Sequence, residues 1–200
     1  MIEIIESLWG QLLQLNWLEA IAVLFGLLSV WYSLKENILV YPTGIISVLI
    51  YIYITFQYKL YADTGINVYY FIASVYGWYF WTNTKGDRKQ IRISTLTKKE
   101  WIITILLATG SFILIRFGLD YTDSDVPNWD TATTTSAIVG MWLMARKKLE
   151  NWIAWIITDF LAVPLYFYKE LYLTSFQFLV FTILAVWGYF AWKKTYINYD

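Results

Sequence analysis

The chain has 200 residues, and its 15 Lys and Arg balance 15 Asp and Glu, so the formal net charge is zero. Hydrophobic residues make up 58% of it and charged residues only 15%, against about 25% charged in an ordinary soluble domain, which argues against a soluble fold and gives no pull toward nucleic acid. Cysteine and histidine are both absent, which removes thiol nucleophiles, disulfides, haem attachment and the usual zinc and Ser-His-Asp chemistries.

The charges are bunched, and the stretches between the bunches are long enough for hydrocarbon. Residues 1–15 come first and read as a short amphipathic helix with Glu3 and Glu6 on its polar side. They lack a basic start and a small-residue cleavage site, so no signal peptide is expected. Seven apolar stretches follow, at 17–34, 38–56, 64–81, 101–119, 129–145, 152–168 and 173–192. Each approaches the roughly 20 residues that a membrane helix needs. The expected class is therefore an all-α integral membrane protein with seven spans.

Cytoplasmic loops carry an excess of Lys and Arg. With the N-terminus outside, the inner side holds Lys35, the six Lys and Arg between positions 85 and 99, Arg146, Lys147, Lys148, Lys193 and Lys194. The outer side keeps only Lys59, Arg116 and Lys169, beside the acidic loop that begins at Asp120. An N-out, C-in topology accounts for that segregation. Trp81, Trp101, Trp129 and Trp192 fall at span ends, where amphipathic rings gather at the headgroup level.

The chain also repeats itself. Residues 61–81, YADTGINVYYFIASVYGWYFW, overlie 172–192, YLTSFQFLVFTILAVWGYFAW, with a Gly after an aromatic near each end and a final Trp. Trp31 aligns with Trp142, Asn16-Trp17 with Asn128-Trp129, and Glu36-Asn37 with Glu150-Asn151. Three-span units at 16–81 and 128–194 are thus separated by 82–127, a basic loop, one linking span and an acidic loop. One intervening span gives the two units the same orientation, so the plan is a 3+1+3 parallel repeat. Such repeats recur in transporters, with the substrate site near the midplane.

Polar residues inside spans are where function is sought. Trp152, Trp155 and Asp159 are spaced i, i+3, i+7 and share one helix face. No Lys or Arg stands at the depth of Asp159 in another span. A carboxyl there is protonated, held by neutral donors, or paired with a cation that a ligand brings, and two indoles on its face suit a cationic aromatic ligand. Thr131, Thr134 and Thr135 share a face of the preceding span; their hydroxyls serve either a ligand or their own helix's carbonyls. Asn67 and Gln177 are amides on otherwise apolar helices and are candidates for ligand hydrogen bonds. Glu19 lies near the outer end of the first span. Pro42 and Gly44, and Pro164, fall in the second helix of each unit, where a proline kink suits a rocking motion.

WD at the start of the fifth span, LMARKKLENWIAW, LYFYKELYLTSFQF and GYFAWKK, together with LYAD and YGWYFW in the first unit, resemble the PnuC family of bacterial vitamin transporters. The resemblance runs from Trp17 to Lys194, and the WxxW of Trp152 and Trp155 is its most specific element. It implies a SWEET-like fold, a homotrimer in the bacterial inner membrane, and facilitated diffusion of an unphosphorylated vitamin trapped by a separate cytoplasmic kinase. It also implies that both tryptophans touch the substrate, with nicotinamide riboside as the usual one and thiamine in the PnuT relatives. Members that carry nicotinamide riboside have Asn after WxxW where this chain has Asp159, and Gln where it has Asn67, so thiamine stays open beside nicotinamide riboside. A proton-coupled carrier using Asp159 is the other alternative. No cofactor or metal is expected. Intramembrane catalysis finds no second group near Asp159, and a channel finds no ring of charges.

Overall fold

In a computed structural model, the described residues are 17–59, 61–83, 91–122 and 124–198, together with Glu6 and Gly10. Apart from those two positions, the amphipathic segment expected over 1–15 lies outside the described residues, as do Lys85, Arg88 and Lys89. The described chain is helical, with one isolated backbone bridge between Ser94 and Lys148. Its helices are α1 Trp17–Leu34, α2 Val40–Gln57, α3 Tyr61–Thr82, α4 Lys98–Leu119, α5 Pro127–Ala145, α6 Asn151–Tyr168 and α7 Tyr172–Ile197. Four of them, α1, α2, α4 and α7, are long and apolar enough to cross a membrane. The other three carry the polar runs: Asp63, Thr64 and Asn67 in α3, Thr131 to Ser136 in α5, and Asn151, Thr158 and Asp159 in α6.

Helix ends depart from the apolar boundaries where local chemistry extends them. α4 begins at Lys98, ahead of its first apolar residue, because Thr97 caps it: the Glu100 carboxylate accepts from the Thr97 amide at 2.9 Å and the Thr97 hydroxyl accepts from the Glu100 amide at 3.3 Å. This reciprocal box satisfies two amides that a helix start otherwise leaves open. α7 continues past Trp192 through Lys193 and Lys194 to Ile197. α1, α2, α5 and α6 are each followed by a left-handed residue that is not glycine: Glu36, Lys59, Lys147 and Glu170. In three of these turns the next amide reaches back five residues, Asn37 to Tyr32, Lys148 to Leu143 and Leu171 to Tyr166, closing the helix end in a Schellman motif.

The chain divides into two compact units, residues 1–92 with 145–147, and residues 93–144 with 148–200. In the first, α2 packs against both α1 and α3. Small residues let α1 and α2 approach closely: Ser47 donates to the Ala22 carbonyl at 2.7 Å and Ser29 to the Val40 carbonyl at 2.8 Å. Membrane helices associate through such close packing and hydrogen bonds, since lipid removes the hydrophobic drive. At the other seam Tyr41 lies edge-on to Trp81, ring centres 5.2 Å apart at 90°. It fills the space left by Gly77, where an added Cβ would come within 2.5 Å of the phenol. Lys147 belongs to this unit, with its ammonium 3.1 Å from the Glu36 carboxylate, 2.9 Å from the Ile91 carbonyl and 4.7 Å above the Trp81 ring.

In the second unit α6 packs on α7. Trp152 lies edge-on to Trp192, ring centres 5.5 Å apart at 89°, over Gly188. These positions and those of the first unit are 111 residues apart (41 to 152, 77 to 188, 81 to 192), as are the left-handed pairs Glu36 and Lys147, and Lys59 and Glu170. The alignment of Glu36-Asn37 with Glu150-Asn151 is therefore corrected: turn geometry puts Glu36 in register with Lys147, because backbone handedness outweighs side-chain identity there. The start of α6 is tied to the start of α4. Lys148 pairs with Glu100 at 2.8 Å, the Leu149 amide donates to Ser94, and the Leu96 amide to the Glu150 carboxylate, both at 2.9 Å. At its other end, Lys169 pairs with Asp130 of α5 at 2.9 Å, and Asp130 also accepts from Ser124 at 2.7 Å.

Candidate functional site

The candidate site is built on α6, between α5 and α7. Proline 164 has no N–H to offer the helix, and donors from both neighbours reach the carbonyls beside it. The Trp129 indole of α5 donates to Leu161 at 2.9 Å and the Ser175 hydroxyl of α7 to Val163 at 2.8 Å. Toward the opposite end of the helix stand Asn151, Trp152, Trp155, Thr158 and Asp159. Asn151, Trp152, Thr158 and Asp159 are all buried, with Asp159 only 4% exposed. Trp155 is half-buried.

The two indoles face different neighbours. Trp152 turns to α7, its outer ring atoms over Gly188; Trp155 turns to α5, its ring fusion over Gly140. Several polar atoms around them are buried with no hydrogen-bond partner: the Trp152 indole nitrogen, the Asn151 side-chain oxygen and the Thr135 hydroxyl. Buried polar atoms are nearly always paired, so these are open hydrogen-bonding positions in the second unit, and the Tyr41 hydroxyl is another in the first.

Other sequence candidates are engaged locally. Thr131 is fully buried, and its hydroxyl donates to the Pro127 carbonyl at 2.6 Å, which leaves it lone pairs rather than a proton to offer. Thr158 likewise donates to Ala154. Asn67, in the first unit, donates to its own helix at the Asp63 carbonyl, 2.8 Å away. Gln177 is half-buried on α7. Trp152, Trp155, Asp159, Thr131 and Thr135 thus share the second unit with Gln177. Gly140, Gly188 and Asn151 are additions from the structure. Their sequence signs were the Gly after an aromatic in 172–192, which is Gly188, and the pairing of Asn151 with Asn37.

The family model for the nicotinamide mononucleotide transporter matches residues 16–194. The chain belongs to the nicotinamide mononucleotide transporter family. Curated relatives in this family's range of likeness include the nicotinamide riboside transporter PnuC of Escherichia coli, 28% identical over 89% of this chain and 85% of that protein. The riboflavin/roseoflavin transporter RibM of Streptomyces davaonensis is 24% identical over 88% of this chain and 84% of that protein. Among solved structures, the vitamin B3 transporter PnuC superposes with a TM-score of 0.72 at 23% identity, covering 100% of this chain and 92% of that one; the fold is shared. As a member of the nicotinamide mononucleotide transporter family, the chain is a membrane transporter and not an enzyme.

Proposed function

We propose that this transporter carries nicotinamide riboside, by facilitated diffusion, across the bacterial cytoplasmic membrane. The observation that carries the reading is the pair of indoles on α6, Trp152 toward α7 and Trp155 toward α5, with the buried carboxyl of Asp159 one turn beyond Trp155. A pyridinium is flat, aromatic and cationic: an indole face attracts it by up to about 2 kcal/mol when desolvated, and a carboxylate complements its charge. The names of the PnuC relatives support the same ligand. Trp152 and Trp155 would hold the ring, while Thr131, Thr135 and Gln177 are proposed to serve the ribose and carboxamide. Thiamine is not favoured, since the relatives named above are transporters of nicotinamide riboside and riboflavin. Riboflavin is the second reading, and RibM is what favours it.

The proposed architecture is seven spans in a SWEET-like 3+1+3 parallel repeat, with units at 16–81 and 128–194, the N-terminus outside and the C-terminus in the cytoplasm, assembled as a homotrimer. The constant 111-residue spacing of the Tyr41 and Trp152 joints supports the repeat; the cluster of Arg146, Lys147 and Lys148 supports the orientation. Titrating the purified protein with nicotinamide riboside, riboflavin and thiamine, by tryptophan fluorescence and calorimetry, tests the substrate. Saturable binding of nicotinamide riboside alone is expected; binding of riboflavin alone overturns the assignment. In proteoliposomes an imposed pH gradient should leave uptake unchanged, and uptake driven by the gradient would instead make Asp159 a proton carrier.

A further inference from the structure

Both indoles of the WxxW pair rest on glycines of flanking helices. A Cβ at Gly188 would lie 2.5 to 2.6 Å from Cη2, Cζ2 and Cζ3 of Trp152, closer than real Cβ contacts come. A Cβ at Gly140 would lie 3.1 Å from Cδ2 and Cε2 of Trp155, which requires the ring to yield by a few tenths of an ångström. Glycine inside a helix costs about 0.5–1 kcal/mol relative to alanine, and here its effect is clearance for one large ring. The first unit shares one of these two seats and differs at the other. Tyr41 rests on Gly77 as Trp152 rests on Gly188, but the second joint is inverted: Gly44 occupies the register position of Trp155, and Ser29, 2.9 Å from a Cβ at Gly44, that of Gly140. Only the second unit seats two indoles. Trp152 Nε1, Asn151 and Thr135 carry buried polar atoms without partners there, where the first unit has the Tyr41 hydroxyl.

We propose that Gly140 and Gly188 are positioning residues: they set how far the indoles of Trp155 and Trp152 withdraw into α5 and α7, and thereby the size of the aromatic ligand the pair accepts. The inference rests on the proposed reading that these indoles touch the ligand. Alanine at either position returns a ring toward the ligand side and narrows the site, so the effect falls on affinity and is specific to the ring concerned.

The test is a pair of double-mutant cycles, read as the affinity of the full-length protein for nicotinamide riboside by calorimetry. Gly188→Ala is expected to weaken binding at least tenfold in the native background and less than threefold beside Trp152→Phe, whose smaller ring vacates the methyl's space. Gly140→Ala, which meets the fusion atoms of Trp155, should weaken binding at least threefold and should not couple to Trp152→Phe. Equal losses from Gly188→Ala in Trp and Phe backgrounds, or unchanged affinity in folded glycine variants, overturn the proposal. Gly140→Ala, needing the smaller shift, decides the matter if Gly188→Ala does not fold. If Trp152→Ala and Trp155→Ala themselves leave affinity intact, the ligand-contacting reading falls and the seats with it; if they abolish binding while the glycine variants are silent, the seats alone are wrong.

Discussion

Asp159 is 4% exposed on a helix whose other buried residues are Asn151, Trp152, Ala154, Thr158, Ala162 and Leu165. A carboxyl in such a place is expensive unless something complements it. Asp159→Asn keeps the shape and removes the charge, and should weaken binding of the cationic nicotinamide riboside at least tenfold, about 1.4 kcal/mol, with thermal stability unchanged. Calorimetry on the folded variant checks this, and unchanged affinity would assign Asp159 to structure. The polar positions were legible at this scale because hydrocarbon tolerates few of them. Their partners were not: whether Thr131 serves a ligand or Pro127 depends on a rotamer, and periodicity carries no rotamer. The glycine seats were hidden for a related reason, since a missing side chain has no pattern until the ring that fills its space is seen.

The elements were read more completely than their ends. Apolar runs located the seven helices of the described residues, four of them long and apolar enough to cross a membrane, yet helices obey hydrogen bonding and not hydropathy where they meet water. Thr97 and Glu100 extend α4 and the lysines of α7 stay helical for that reason. The proline of α6 makes a prediction at this scale. Trp129→Phe removes the donor to the Leu161 carbonyl and should cost about 1 kcal/mol, seen as a lowered thermal midpoint, whereas the same change at Trp187, on exposed α7 surface, should cost less. A second concerns the turns. The Lys147 side chain is 4% exposed and that of Glu36 20%. Breaking a buried pair by removing one partner costs about 3–5 kcal/mol. Glu36→Gln should therefore lower the thermal midpoint more than the double variant Glu36→Gln/Lys147→Met, which leaves no unpaired ammonium behind.

For the whole molecule the absence of cysteine makes orientation directly measurable. A single cysteine at Ser124 should react with an impermeant maleimide on intact cells, and one at Lys194 only after the membrane is opened; the reverse pattern would invert the proposed topology. The likeness of 61–81 to 172–192 has a structural counterpart in the aromatic-on-glycine joints, Tyr41 on Gly77 beside Trp81 and Trp152 on Gly188 beside Trp192. The register at the turns was not legible, because Glu36 and Lys147 share only a backbone conformation.

The ties between α4 and the start of α6 have a mechanical consequence. Lys148, Leu149 and Glu150 grip residues 94–100 by one ion pair and three hydrogen bonds to the backbone, just ahead of the indole-bearing turn. On the proposed reading of α6 as the ligand helix, a tilt at that end would pull on the foot of α4, so α4 would act as a connecting rod. Its outward face, from Trp101 to Phe117, is widely exposed, so whatever surrounds that rod, lipid or a second copy of the chain, feels the stroke.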